Sequence, residues 1–206
     1  MAKSSISIKD LGQTDYQETW TAMKDFTHRR DSNTDNQLWL TEHQAIFTQG
    51  LNGKAEHLLN PAEIPVIQID RGGQVTYHGP GQVVLYCLLD LHQLGLGVKA
   101  LVGKIETSII ELLHSYGVTA ETRTGAPGVY VNNAKIAALG LRIRKGCCYH
   151  GMALNVDMDL EPFSRINPCG YEGLAVTQLA DYTQAKSIQQ VGFRLANILI
   201  GNLNGE

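Results

Sequence analysis

The distribution of glycine is the feature of this 206-residue sequence that most restricts how it can fold. Of its 21 glycines, eleven fall within residues 71–81 and 125–173, which together make up less than a third of the chain. Glycine permits positive φ angles and lets the backbone approach a ligand closely. We therefore expect two loop-rich segments that converge on a pocket, because glycines used only in hairpin turns would be spread more evenly.

Apolar periodicity divides the rest of the chain into helices and strands. A first helix is predicted to begin at Thr14, where residues 14–17 have the form of a capping box. Helical spacing predicts two more helices, one from Val98 to Tyr116 with a buried face that starts at Val98, and one from Ile188 to Leu199. Short apolar runs predict strands at 37–40, 45–48, 65–70, 82–89, 128–131, 135–144 and 149–156. This order predicts a single α/β (α+β) domain over residues 1–206, with a mixed sheet and flanking helices.

Charge and cysteine usage exclude several classes of protein. Seventeen basic and twenty acidic residues give a net charge of −3, whereas a general nucleic-acid binder has a basic excess. The longest apolar run, residues 83–89, is far too short to cross a membrane, and the N-terminal residues lack the apolar segment of a signal peptide. The four cysteines include no Cys-x-x-Cys pair, which favours reduced thiols. We expect a cytoplasmic protein that binds neither nucleic acid nor membrane.

The first glycine-rich segment, Arg71 to Gln82, is predicted to be a ligand-binding loop. It lies between two predicted strands, and its glycines would expose backbone N–H groups to a ligand. It lacks the Gly-Lys-Ser/Thr ending of a Walker loop, and no helix follows it as in a Rossmann fold.

Two residues of the second segment are candidates for catalysis. Lys135 begins an apolar strand, where desolvation would lower its pKa toward that of a useful base, although a solvated lysine at a turn is the alternative. Cys169 lies in a loop bounded by proline and glycine, where a neighbouring cation would favour a thiolate that attacks acyl carbons. Cys87, by contrast, lies inside an apolar strand and is expected in the core.

Other uses of the same side chains are possible. Cys147, Cys148, His78 and His150 could suggest a zinc site, but they lack the paired spacings of known zinc sites. A papain-like pair would use Cys169 with His78 or His150 as base, but the surrounding sequence lacks that family's signature.

Several motifs together resemble the lipoyl(octanoyl) transferase family, the octanoyl-[acyl-carrier-protein]:protein N-octanoyltransferases. They cover about residues 36–181 and stand in the family's order, with one departure at residues 43–45, where the family commonly has prolines after the histidine. The resemblance implies a catalytic fold like that of biotin and lipoate-protein ligases. The motifs are Arg71-Gly72-Gly73, Thr76, His78, Pro80-Gly81-Gln82, Lys135–Gly140, Tyr149-His150-Gly151, Ala153-Leu154-Asn155 and Asn167-Pro168-Cys169-Gly170.

The resemblance also implies an activity, partners and site residues. The implied reaction moves an octanoyl group from octanoyl-acyl carrier protein to a lysine of lipoyl domains, namely those of 2-oxoacid dehydrogenases and the glycine cleavage H protein. It implies that Cys169 carries the acyl group as a thioester, that Lys135 tunes this cysteine and shuttles protons, and that no cofactor or metal is needed. The residues implied to bind the acyl group are Arg71, Gly72, Gly73, Gln74, Val75, Thr76, Tyr77, His78, Ala138, Leu139, Gly140, Gly151, Met152 and Ala153.

Two alternatives and one further hypothesis complete the analysis. An ATP-dependent lipoate-protein ligase would share the fold but needs no nucleophilic cysteine, so Cys169 distinguishes the two. A non-enzymatic lipid-binding module would need no reactive thiol either. The basic residues Arg142, Arg144 and Lys145, at the end of a predicted strand, are either a solvated strand end or a patch that steers the acidic acyl carrier protein.

Overall fold

The computed structural model describes residues 5–184 and 187–205, and within them the chain forms ten strands and three α-helices. No helix in these ranges is long and apolar enough to cross a membrane. The elements are β1 (Ile6–Thr14), α1 (Tyr16–Arg29), β2 (Asn36–His43), β3 (Ile46–Gln49), β4 (Val66–Gln68), β5 (Val75–His78), β6 (Gln82–Asp90), α2 (Val98–His114), β7 (Glu121–Thr122), β8 (Val129–Val131), β9 (Ala134–Arg144), β10 (Cys147–Asn155) and α3 (Ile188–Asn204).

The strands form one large and one small sheet. The large sheet has the order β1-β2-β6-β10-β9-β8-β7, in which β1 and β2 are parallel and the other neighbours are antiparallel. The small sheet has the order β4-β3-β5, with β3 parallel to β4 and antiparallel to β5. The prediction of a mixed sheet with flanking helices is therefore confirmed.

Strand β6 lies inside the large sheet and is buried on both faces. Val83, Leu85 and the other odd-numbered residues belong to the core formed with α2 and α3. Val84 and Tyr86 belong to a second cluster on the opposite face, which also includes Met23 of α1. A strand covered on both faces reads as an unbroken apolar run, which explains the sequence of residues 83–89. Cys87 is fully buried among the odd-numbered residues, as expected.

The predicted start of α1 was wrong by one residue. Asp15, not Thr14, caps the helix, because its Oδ1 accepts a hydrogen bond of 2.9 Å from the backbone N–H of Glu18. Thr14 instead ends β1, a strand that the sequence analysis did not predict, and its hydroxyl contacts the hydroxyl of Thr41 at 2.8 Å.

Two further expectations differ from the structure. Residues 75–78, predicted as part of a loop, form β5, because they pair with β3 in the small sheet. Val98 was assigned to the buried face of α2, but 46% of its surface is exposed. The helix begins at Val98, and its first turn extends beyond the core that Leu101 and Ile105 enter.

Candidate active site

Lys135 and Cys169 lie in contact although 34 residues separate them in sequence. The Nζ atom of Lys135 donates a hydrogen bond of 3.0 Å to Sγ of Cys169 and another of 3.2 Å to the carbonyl of Pro127. Only 4% of the Lys135 surface is exposed, so its ammonium group has little access to water. The structure thus brings together the two residues predicted to be catalytic.

A tight hairpin places Lys135 at the start of β9. Asn132 and Asn133 both have positive φ angles, of 46° and 70°, which asparagine tolerates and which suit a two-residue hairpin turn. Residues 175–177 lie along the other edge of β9. There the Lys135 N–H donates to the carbonyl of Ala175, and the Lys135 carbonyl accepts from the N–H of Thr177. These backbone hydrogen bonds fix the point from which the lysine side chain extends.

Cys169 has a strained backbone conformation. Its φ and ψ angles of 57° and 17° lie in the left-handed region, which costs a non-glycine residue about 1–3 kcal/mol. The surrounding turn is fixed by hydrogen bonds from the Gly170 N–H to the Asn167 carbonyl and from the Asn167 N–H to the His57 carbonyl, each of 2.9 Å. Strained residues of this kind concentrate at functional sites.

The charge of Lys135 differs from the sequence-based expectation. Burial, the largest single influence, lowers the pKa of Lys135, as predicted, but the Cys169 sulfur and the Tyr130 hydroxyl together outweigh burial and raise that pKa above its ordinary value. The prediction that desolvation makes Lys135 a ready base was therefore wrong. With its partner sulfur in place, the lysine is an ammonium group at neutral pH.

A cavity of about 490 Å³, here called the inner cavity, adjoins Cys169. It lies between the small sheet and the face of the large sheet that carries Val84 and Tyr86, and most of its wall is buried. Twelve of the fourteen residues predicted to bind the acyl group line it. They are Arg71, Gly73, Gln74, Val75, Thr76, His78, Ala138, Leu139, Gly140, Gly151, Met152 and Ala153.

The remaining two predicted residues lie elsewhere. The Tyr77 ring packs 5.5 Å from Phe47 and 5.4 Å from Phe163, because successive residues of β5 point to opposite faces. Gly72 lines a neighbouring cleft instead. The sequence analysis also missed Tyr16, Val84 and Tyr86, which line the inner cavity. Val84 and Tyr86 share one face of β6 because side chains alternate along a strand. The sequence does not show that this face borders a cavity.

Glycines near the cavity serve backbone and side-chain packing as well as open space. A Cβ atom at Gly151 would lie 2.0 Å from the carbonyl oxygen of Leu85, so this glycine allows two strands to approach. A Cβ atom at Gly140 would lie 2.9 Å from Cδ of Arg71, so its missing side chain makes room for the arginine. These two glycines therefore serve close packing as well as lining the cavity.

Arg71 brings a buried cation to the cavity wall. Its Nη2 donates to the carbonyl and the hydroxyl of Thr48, at 2.7 and 2.9 Å, and its Nη1 donates to the Gly72 carbonyl at 3.0 Å. Burial lowers the pKa of Arg71 from its ordinary value. The hydrogen-bond acceptors of this guanidinium are thus uncharged oxygens and not a carboxylate.

Neither histidine of the papain-like alternative pairs with Cys169. Nδ1 of His78 donates to Oε1 of Gln82 at 2.7 Å, and Nε2 of His150 donates to Oδ1 of Asp70 at 2.9 Å. Burial lowers the pKa of His78 to about 3, so this ring is neutral at physiological pH. For the zinc alternative, no cluster of three or more potential metal ligands occurs among the described residues.

A second space, here called the outer cleft, also borders Cys169. It measures about 950 Å³, and its walls include Lys135, the 125–127 loop, and Val98 with Val102 from α2. Gly73, Gln74, Leu139, Gly140 and Cys169 line both spaces and form a collar between them.

The basic residues at the end of β9 are partly available to a partner. Arg144 and Lys145 are exposed, whereas Arg142 is partly buried and lies opposite Tyr149 in the sheet. The steering role suggested for this patch stays a prediction.

Residues 15–199 match the family described as Lipoyl protein ligase A/B catalytic domain. An octanoyltransferase of Pseudomonas fluorescens is 57% identical over 199 residues, which span 97% of this chain and 93% of that protein. An octanoyltransferase of Shewanella sediminis is 52% identical over 203 residues, which span 98% and 93%. The chain therefore belongs to the octanoyltransferases within the lipoyl protein ligase A/B catalytic-domain family.

Solved structures agree on the fold. A lipoate-protein ligase A bound with ATP superposes with a TM-score of 0.79 at 15% identity, covering 98% of this chain and 85% of that one. A biotin protein ligase from Aquifex aeolicus superposes with a TM-score of 0.59 at 12% identity, covering 97% and 69%. The predicted biotin and lipoate-protein ligase-like fold is thus confirmed.

Proposed function

We propose that this protein transfers an octanoyl group from octanoyl-acyl carrier protein to a lysine of lipoyl domains through a thioester on Cys169. The acceptors in this proposal are the lipoyl domains of 2-oxoacid dehydrogenases and the glycine cleavage H protein, and residues 1–206 form one catalytic domain. The observation that carries the proposal is the 3.0 Å contact between Nζ of Lys135 and Sγ of Cys169. Identity of 57% to an octanoyltransferase supports it.

In the first step the Cys169 sulfur attacks the thioester carbonyl of the donor. A bond forms between Sγ and the acyl carbon, the bond to the carrier's sulfur breaks, and the departing sulfur takes a proton from Lys135. The ammonium group donates a hydrogen bond to the attacking sulfur before the step and supplies a proton to the departing sulfur after it. One thioester replaces another, so the step needs no ATP.

In the second step the acceptor lysine attacks the acyl-cysteine. An amide bond forms, the bond to Sγ breaks, and the attacking amine loses a proton. An acylated sulfur carries no negative charge, so the Cys169 contribution that raises the pKa of Lys135 is lost, whereas Tyr130 still raises it and burial, the largest influence, still lowers it. Acylation therefore shifts Lys135 toward the neutral amine, which can accept the proton that the attacking lysine loses.

The inner cavity is the proposed site for the octanoyl chain. Its wall includes Val75, Val84 and Met152, which are almost fully buried. Each methylene group removed from water contributes about 0.8 kcal/mol, so a chain that fills the cavity binds more tightly than a shorter one.

Mass spectrometry of the protein after incubation with octanoyl-acyl carrier protein tests the proposal. We expect an octanoyl adduct on Cys169 without ATP, and a loss of transfer of at least about 10³-fold in Cys169→Ser. Cys147→Ser is the matched control, because Cys147 is also partly exposed but lies at the start of β10, away from Lys135.

Three results would contradict the proposal. Activity that appears only with ATP favours the ligase alternative. Full turnover by Cys169→Ser excludes the thioester. Binding of acyl chains with no transfer under any condition favours the lipid-binding module.

A further inference from the structure

The outer cleft borders Cys169, as the inner cavity does, and extends the site beyond that cavity. The five collar residues, Cys169 among them, line both spaces, so a ligand bonded to the Cys169 sulfur has access to both. The deep wall of the inner cavity consists of buried side chains such as Tyr16, Tyr86 and His150. A thioester whose acyl chain enters that cavity therefore places its carbonyl carbon at the collar, and the rest of the donor extends into the outer cleft.

The walls of the outer cleft combine apolar surface with amide groups. Val98 and Val102, one helical turn apart on α2, form an apolar strip, and Val98 is 46% exposed. Asn52 and Gln74 add amide side chains, and residues 125–127 add peptide groups. The hydroxyl of Tyr171 donates to the carbonyl of Gly125 at 3.2 Å and so joins two of the walls.

The charge of the outer cleft restricts its occupant. Lys135 is the one Lys, Arg, Asp or Glu among the described residues that line it. Before Cys169 is acylated, a cationic lysine side chain would meet the Lys135 ammonium with no carboxylate among the described lining residues to offset the repulsion, whereas an uncharged chain meets no such penalty. Methylene segments interrupted by amide groups also match the alternation of apolar surface and amides in the wall.

We infer that the outer cleft binds the pantetheine arm of the donor, the uncharged, amide-containing chain that ends in the thioester sulfur. This inference rests on the proposed function of Cys169. When the Cys169–acyl bond forms and the arm's carbon–sulfur bond breaks, the departing sulfur lies on the cleft side, where Lys135 supplies the proton that completes the arm's thiol. The free arm then leaves through the same opening and vacates it for the acceptor.

Two octanoyl donors that differ only in the leaving group test the inference. Octanoyl-pantetheine carries the arm, and p-nitrophenyl octanoate does not. Val98→Trp narrows the cleft at an exposed position, so the variant folds, and Thr107→Trp on an exposed position of the same helix is the matched control. The rate of acyl-Cys169 formation is followed by mass spectrometry for both donors.

We expect Val98→Trp to reduce acylation by octanoyl-pantetheine about 10-fold or more, with less than about a 2-fold change for p-nitrophenyl octanoate. Thr107→Trp should change neither rate. A second variant, Val98→Ser, removes apolar contact without adding bulk and should weaken inhibition by free pantetheine without slowing the aryl ester.

Other outcomes overturn the inference. Equal losses for both donors mean that the cleft controls only access to the thiol, and unchanged rates for both mean that the arm lies elsewhere. Slowing confined to transfer from acyl-Cys169 to the acceptor assigns the cleft to the acceptor lysine. If the aryl ester acylates Cys169 normally, the proposed nucleophile stands even where the arm site fails, whereas absence of acylation by either donor in the wild-type protein refutes both.

Discussion

Lys135, which lines the outer cleft, and His78, which lines the inner cavity, are two buried bases that differ in charge. The Lys135 side chain is a protonated ammonium group, whereas the His78 ring is neutral. Lys135 is 4% exposed and His78 is 6% exposed, so burial penalises the charged form of both. The pKa of Lys135 is nevertheless raised, whereas the pKa of His78 is lowered to about 3.

The difference lies in the partner of each base. Lys135 contacts a sulfur that can hold negative charge, and His78 contacts the neutral amide oxygen of Gln82. His150 is intermediate, because Asp70 offers it a carboxylate and burial still keeps its pKa below the ordinary value. A buried base in this protein thus becomes useful for proton transfer only where a nearby group can exchange charge with it.

The largest expected effect comes from removing the charge of Lys135. Lys135→Met should slow alkylation of Cys169 by iodoacetamide near neutral pH by about 10- to 100-fold, since a charge-assisted hydrogen bond contributes about 1.5–3 kcal/mol. Lys54→Met, at an exposed lysine, is the control. Equal alkylation rates in the wild type and Lys135→Met would show that the ammonium group does not activate the sulfur.

A smaller effect is expected at the carboxylate that contacts His150. Asp70 accepts hydrogen bonds from Trp20 at 2.8 Å, from His150 and from the Tyr149 hydroxyl. Burial disfavours the Asp70 carboxylate, but these donors outweigh burial and lower its pKa. Asp70→Asn should therefore reduce the free energy of unfolding by about 2 kcal/mol, measured by urea denaturation.

The same variant should leave the alkylation rate of Cys169 within about 2-fold, since Asp70 acts on the cavity wall and not on the sulfur. Asp25→Asn, at an exposed carboxylate of α1, controls for the loss of charge. A large change in the alkylation rate of Cys169 with unchanged stability would contradict this assignment. It would show that Asp70 acts on the sulfur and does not stabilise the fold.

The smallest expected effect is the loss of stability that His78 causes between pH 6.5 and 5.5. Below pH 6.5 the unfolded chain binds a proton at this histidine, which the folded chain does not bind until the pH approaches 3. The free energy of unfolding therefore decreases by about 1.4 kcal/mol for each pH unit across that interval on account of His78 alone. His78→Gln should remove this contribution, as measured by urea denaturation at pH 6.5 and 5.5.

His114→Gln, at an exposed histidine, should keep the wild-type pH dependence. An identical loss of stability on acidification in His78→Gln and the wild type would show that His78 is not the neutral, buried group inferred from the structure.

Sequence patterns predicted the elements whose faces are purely apolar. Strand β6 follows from its unbroken apolar run and helices α2 and α3 from helical spacing, because burial of apolar surface dictates which residues appear there. Strand β5 and Val98 were predicted incorrectly, because β5 lies in a segment rich in glycine and Val98 borders a cleft that the spacing of residues cannot reveal.

The candidate site depended on long-range contacts that spacing does not encode. Nothing local to Lys135 or Cys169 shows that they meet, since the contact is set by the Asn132-Asn133 turn and by backbone hydrogen bonds with residues 57, 175 and 177. The resemblance to a family supplied that pair. The direction of the Lys135 pKa could not follow from sequence, because it depends on the distance between two side chains.

The left-handed backbone at Cys169 lowers the stability of the fold at the position that carries the proposed activity. Glycine or asparagine would adopt this conformation with less strain, but neither has a sulfur atom. Selection for thermal stability alone would therefore tend to replace the proposed nucleophile. Directed evolution of a more stable form of this protein should leave position 169 unchanged and vary other positions.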